Sequence, residues 1–196
     1  MTKIIGITGG IATGKSTVSS YLAELGYQII DADKITHTVQ SKGSKGLQAI
    51  IDFFGNDYLL SNGELNRKKL SRTVFSNKNK LKRLTRIVDP FIRKKISEEI
   101  RRAESQEINL LFLDAPTLFE NGYQLFCDKI ITVYCSPEEQ LKRLTNRNKI
   151  SISVAIKIIK NQWPIEYKES LSDFSINTDG LISDTRSKFL NILNKL

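Results

Sequence analysis

Cysteine is scarce in this sequence. Its two cysteines, Cys127 and Cys135, lack the spacing of a metal site, which excludes a disulfide framework and favours a thiol-reduced protein. Long apolar runs are absent as well. No stretch approaches the roughly 18 residues that a membrane-crossing helix needs. The opening "MTKIIGITGG" has only a short apolar stretch that runs directly into glycines, unlike a secretory leader. Aromatic residues make up 8% and fall mostly at core-like spacings, which argues against a stacking surface for single-stranded nucleic acid. Internal repeats and low-complexity linkers are also missing. These absences point to a cytoplasmic globular protein.

What is present bounds the answer further. At 196 residues the chain suits one well-buried domain. The formal charge is +9, but Lys and Arg are interleaved with Asp and Glu along helical stretches instead of forming an arm or tail. That pattern fits a solvated face and a polyanionic small ligand. Neither nucleic acid nor a membrane is expected as partner, and a monomer is expected.

The most specific local signal runs from Gly9 to Ser16, which reads G-x-x-x-x-G-K-S between a strand-like "KIIGIT" and a helical pattern. Glycines at both ends let the loop turn its N–H groups inward on phosphate oxygens, and the following helix adds the positive end of its dipole. Lys15 can reach the β- and γ-phosphates, and the Ser16 hydroxyl can ligate Mg²⁺.

Further strands are expected at "YQIID", at "INLLFLD" (residues 108–114), at "KIITVYC" (129–135) and more weakly at "DFSI" (173–176). Helical stretches separate them, so the fold class is α/β with a mostly parallel sheet. Residues 34–107 are too long for one crossover and carry helical periodicity, which predicts a helical subdomain. Residues 137–169 form a second helical insert.

Phosphate loops serve several enzyme classes. "DFFG" at 52–55 imitates a GTPase switch, yet it ends a helical pattern, and "NKNK" at 77–80 lacks the acid that guanine requires. An ATPase motor would want a longer chain and a strand ending in Asp-Glu, whereas "LFLDAP" does not. In "IIDADKITH", Asp31 and Asp33 stand where a strand delivers ligand-binding residues in open α/β sheets. Asp33 could accept a proton from a hydroxyl attacking the γ-phosphate, or it could cap the next helix. His37, the only histidine, reads as a surface residue.

"GITGGIATGKST", "IIDADKI", "GLQAIIDFFGNDYLLSNGELNRKKLSRTVF", "LDAPTLFENGYQLFCDKIITVYCSPEEQLKRL" and "NQWPIEYKESLSDFSINTDG" together resemble the dephospho-CoA kinase family, in order over nearly the whole chain. The resemblance implies a three-layer P-loop kinase sandwich with five parallel strands, spanning 1–196. Within it, 34–107 would be the acceptor subdomain and 137–169 the lid. It also implies transfer of phosphate from ATP, with Mg²⁺, to the 3′-hydroxyl of dephospho-CoA, the last step of coenzyme A synthesis.

By the same resemblance Ala12, Thr13, Gly14, Lys15, Ser16 and Thr17 hold the ATP phosphates, and Arg143 and Arg147 are lid arginines. Asp33 is the base and Lys15 its catalytic partner. Thr8, Arg67 and Leu118 join Asp33 on the acceptor side, with Phe119 and Glu120 next to Leu118. The chain departs from the family's usual residues at Asp89, Asn148, Lys157 and Thr178. Two other readings stay open on the residues alone: a kinase for a nucleoside or other small alcohol, and a nucleotide-dependent nucleic-acid-binding module.

Overall fold

The computed structural model describes residues 2–196. The chain divides into two compact units, one made by the chain up to Ile30 and again from Ala103 to Leu196, the other by Asp31–Arg102.

The first unit is built on a five-stranded sheet of β1 (Lys3–Gly9), β2 (Gln28–Asp31), β3 (Leu110–Asp114), β4 (Lys129–Tyr134) and β5 (Phe174–Asn177), in the order β2-β3-β1-β4-β5. β1 runs parallel to both β3 and β4, and β4 parallel to β5. Side chains alternate across these strands. Ile5, Ile7, Phe112, Ile131, Val133 and Ile176 pack with Val18 and Leu22 of α1 (Lys15–Glu24) and Phe189 and Ile192 of α9 (Ile182–Leu193). Tyr21 and Tyr27 add edge-on ring contacts to Phe189 and Phe112.

The opposite face carries smaller and more polar residues. A Cβ on Gly6 would lie 2.9 Å from both Leu118 and Cys127. Thr132 Oγ1 lies 2.6 Å from the Ser172 hydroxyl. Helices α6 (Pro137–Asn148), α7 (Ile152–Ile159) and α8 (Ile165–Ser170) complete this unit. The result is the α/β fold expected from the alternation, in the three-layer arrangement that the family resemblance implies.

β3 begins at Leu110, two residues later than expected. The reason is a Schellman closure: Glu107 adopts φ +56°, and the Ile108 and Glu107 N–H groups bond the carbonyls of Ala103 and Glu104. The local bond uses the backbone that a strand would need.

The second unit is helical, with α2 (Ala32–Val39), α3 (Lys45–Phe54), α4 (Arg67–Phe75) and α5 (Lys78–Ser105). Four side chains cap its helix starts. Asp31 accepts from Lys34 N–H at 2.9 Å, Ser44 from Leu47 N–H at 3.0 Å, Asn66 from Lys69 N–H at 3.0 Å and Asn77 from Lys80 N–H at 3.1 Å. "NGEL" closes a short antiparallel turn that pairs Leu59 with Leu65 and delivers Asn66 to its cap position. α5 runs through Pro90, and Asp89 one residue earlier pairs with Arg93 at 2.7 Å. Among the described residues no helix is long and apolar enough to cross a membrane.

Candidate active site

The loop between β1 and α1 is shaped by its own chemistry. Gly14 sits at φ +87° and Ala12 at φ +61°, a left-handed conformation that a non-glycine residue holds only where its surroundings enforce it. Thr13 is buried, and its N–H and hydroxyl both bond the Gly10 carbonyl, at 3.3 and 2.9 Å. Thr17 N–H bonds the Gly14 carbonyl at 2.9 Å as the helix begins.

A cleft of about 490 Å³ opens beside this loop. Ala12, Gly14, Ser16 and Thr17 of the loop line it together with Arg143, Arg147 and Thr178. The expected nucleotide residues therefore all belong to one unit, and all but Thr13 and Lys15 line this cleft. Arg143 is held rigidly: Glu139 accepts from its Nε at 2.8 Å, and Thr178 accepts through its hydroxyl at 2.9 Å and its carbonyl at 2.8 Å. The Arg147 side chain donates from its Nε to Oδ1 of its neighbour Asn148 at 2.9 Å.

Lys15 extends from the helix start onto Asp114, at the end of β3. The two form a partly buried ion pair, and Ser19 donates to the other Asp114 oxygen at 2.6 Å. Thr8 is fully buried in β1, its hydroxyl on the Pro116 carbonyl at 3.2 Å, and Leu118 is fully buried beyond β3.

Asp33 and Arg67 belong to the helical unit. Asp33 is exposed in the first turn of α2, and the residue that caps this helix is Asp31. Capping therefore does not explain Asp33. Arg67 opens α4 and donates to Gln40 Oε1 at 2.6 Å and to the His37 carbonyl at 3.1 Å. His37 is exposed, as expected for a surface residue.

The comparisons with known proteins decide the family. A family profile described as dephospho-CoA kinase matches residues 3–184. The chain belongs to the dephospho-CoA kinase family. A dephospho-CoA kinase from Carboxydothermus hydrogenoformans is 44% identical over 192 residues, covering 98% of this chain and 93% of that protein. A solved structure from Thermus thermophilus superposes with a TM-score of 0.85 at 30% identity, covering 100% of this chain and 98% of the other. A dephospho-CoA kinase structure from Campylobacter jejuni gives 0.74 at 31%, covering 100% and 97%. This chain is thus a P-loop kinase with a nucleotide co-substrate.

Several residues of this kinase were not singled out by sequence. Lys168 in α8 is fully buried, pairs with Glu120 at 2.7 Å and donates to the Pro116 carbonyl at 2.7 Å. Burial pushes its ammonium below the ordinary lysine range, while Glu120 draws it back. Glu120 also accepts the Trp163 N–H at 3.0 Å. These residues fasten the segment after β3 to the end of the expected lid. Asp114 was legible only as the last residue of a strand, because its partner Lys15 lies 99 positions away.

Proposed function

We propose that the enzyme transfers the γ-phosphate of ATP to the 3′-hydroxyl of dephospho-CoA, giving coenzyme A and ADP. The observation that carries this reading is the convergence of Ala12, Gly14, Ser16, Thr17, Arg143 and Arg147 on one cleft in a chain of this family. Loop N–H groups and the α1 N-terminus receive the phosphates, while Lys15 and the two arginines neutralise charge that spreads during transfer.

The oxygen-only donors suit magnesium. Ser16 presents an exposed hydroxyl at the helix start, and no cluster of three or more His, Cys, Asp or Glu side chains competes for a metal among the described residues. Ser16 would hold the ion, with Asp114 close to the loop lysine as an outer partner. Magnesium supplies charge neutralisation on the β- and γ-phosphates when bound.

Asp33 serves as the base that accepts the proton of the attacking hydroxyl. Thr8 and Leu118 support the acceptor-flanking segment from within, and Arg67 fixes the start of α4 in the 34–107 acceptor subdomain. Residues 137–169 act as the lid. The enzyme works in the cytoplasm.

The test is ADP release with a panel of acceptors: dephospho-CoA, adenosine and pantetheine. Rapid, saturable release with dephospho-CoA alone supports the reading. A preference for adenosine would favour a nucleoside kinase instead.

A further inference from the structure

Ile11 stands at the crest of the phosphate loop, and both of its backbone polar groups are taken by glutamine side chains. Its N–H donates to Gln162 Oε1 at 2.7 Å, and its carbonyl accepts from Gln140 Nε2 at 2.8 Å. The orientation of each amide follows from its partner, since a backbone N–H only donates and a carbonyl only accepts. Gln140 is buried on α6, and Gln162 follows α7. The stretch between them therefore has both of its roots fastened to one residue of the loop.

The consequence is geometric. A trans peptide is planar, so its C=O and N–H point in opposite directions. Drawing the Ile11 carbonyl toward Gln140 aims the Ala12 N–H the other way, and Ala12 lines the cleft. Drawing the Ile11 N–H toward Gln162 sends the Gly10 carbonyl the opposite way, where Thr13 bonds it twice. Both peptide planes flanking Ile11 are thus fixed just before Ala12 enters its strained φ of +61°. Gly10 supplies an independent sign that the contact is built. A Cβ there would lie 2.7 Å from Gln140 Nε2, so the amide in this position uses the space that glycine leaves open.

We infer that Gln140 and Gln162 are positioning residues: they set the phosphate loop for transfer and make the lid roots and the loop move together. The inference rests on the phosphate-loop reading above. Neither glutamine touches the reacting atoms; each acts through the Ile11 backbone.

The test compares Gln162→Leu, Gln162→Glu and Gln140→Glu in the full chain. Glutamate can accept from the Ile11 N–H but cannot donate to its carbonyl. Both glutamate variants place a negative charge beside the same loop residue, Gln140→Glu in the more buried position, so the two Gln162 variants carry the test of bond polarity. The expected results are a kcat about tenfold or more lower in Gln162→Leu, with KM for ATP changed much less, and most of that loss restored in Gln162→Glu. Gln140→Glu should be at least several-fold slower than Gln162→Glu.

Amide hydrogen exchange at Ile11, read by NMR without any nucleotide, should accelerate about tenfold or more in Gln162→Leu and much less in Gln162→Glu. This arm is independent of the substrate reading, and the Gln162 pair stands even where Gln140→Glu fails to fold. Equal losses in the two Gln162 variants, or unchanged exchange at Ile11 in Gln162→Leu, would overturn the inference. A wild-type protein that does not bind ATP would instead overturn the phosphate-loop reading.

Discussion

The Thr178 hydroxyl lies 2.7 Å from the Thr13 carbonyl and fastens the loop after β5 to the middle of the phosphate loop. The same oxygen accepts from Arg143 at 2.9 Å. One buried hydroxyl therefore links three parts of the nucleotide cleft. Thr178→Val keeps the shape but orphans the Thr13 carbonyl and one Arg143 N–H, costing about 1–3 kcal/mol. Thermal denaturation should show a lower Tm, and KM for ATP should rise severalfold.

Lys168 and Glu120 should behave as a coupled pair. Lys168→Met retains much of the stem but leaves the largely buried Glu120 carboxylate with the Trp163 N–H, at 3.0 Å, as its remaining partner among the described residues. The loss should be about 3–5 kcal/mol, as for breaking a buried ion pair. Adding Glu120→Gln should recover about 0.5–3 kcal/mol of that in a double-mutant cycle measured by urea denaturation.

Cys127 gives the protein a dependence on alkaline pH. Burial, with the Asp128 charge adding to it, pushes its thiol from 9.0 up to about 12. The native state holds this proton more tightly than the unfolded chain. The resulting stability is fully present below about pH 9 and is lost as pH rises toward 12. The difference in unfolding free energy between wild type and Cys127→Ala should be flat from pH 7 to 9. It should then shrink by about 1–2 kcal/mol by pH 10.5. The native thiol should also react slowly with alkylating reagents at pH 8, because the thiolate is the nucleophile.

The features legible in the sequence were those written in neighbouring residues. Gly9 to Ser16 announced the loop because glycines, lysine and serine act within eight positions, and the apolar runs gave the strands to within two residues. Asp31 and Asp33 were both visible, but which one caps α2 depended on where the helix began. The contacts that hold the site were not visible. Ile11 with Gln162 spans 151 positions, Thr13 with Thr178 spans 165, and Lys15 with Asp114 spans 99. Such pairs arise when the sheet order brings strand ends together, and neither periodicity nor spacing encodes that order. Lys168 reads in the sequence like any lysine of a solvated helix.

Asp31 and Asp33 should separate cleanly in mutants. Asp31→Ala removes the cap bond to Lys34 and should cost about 1 kcal/mol of stability. Asp33→Asn should leave Tm and ATP affinity nearly unchanged while lowering single-turnover transfer about a hundredfold or more. A slow, stable Asp33→Asn protein is the expected outcome. Wild-type speed in this variant would remove Asp33 from the chemistry.

Phosphate should move from ATP to one hydroxyl of dephospho-CoA. The most direct measurement is ³¹P NMR of the enzyme with ATP, magnesium and dephospho-CoA, followed to completion. The expected result is one new phosphomonoester resonance at the ribose 3′ position, growing in step with ADP and absent with Lys15→Ala. ADP formed without that resonance, or a phosphomonoester at another position, would contradict it.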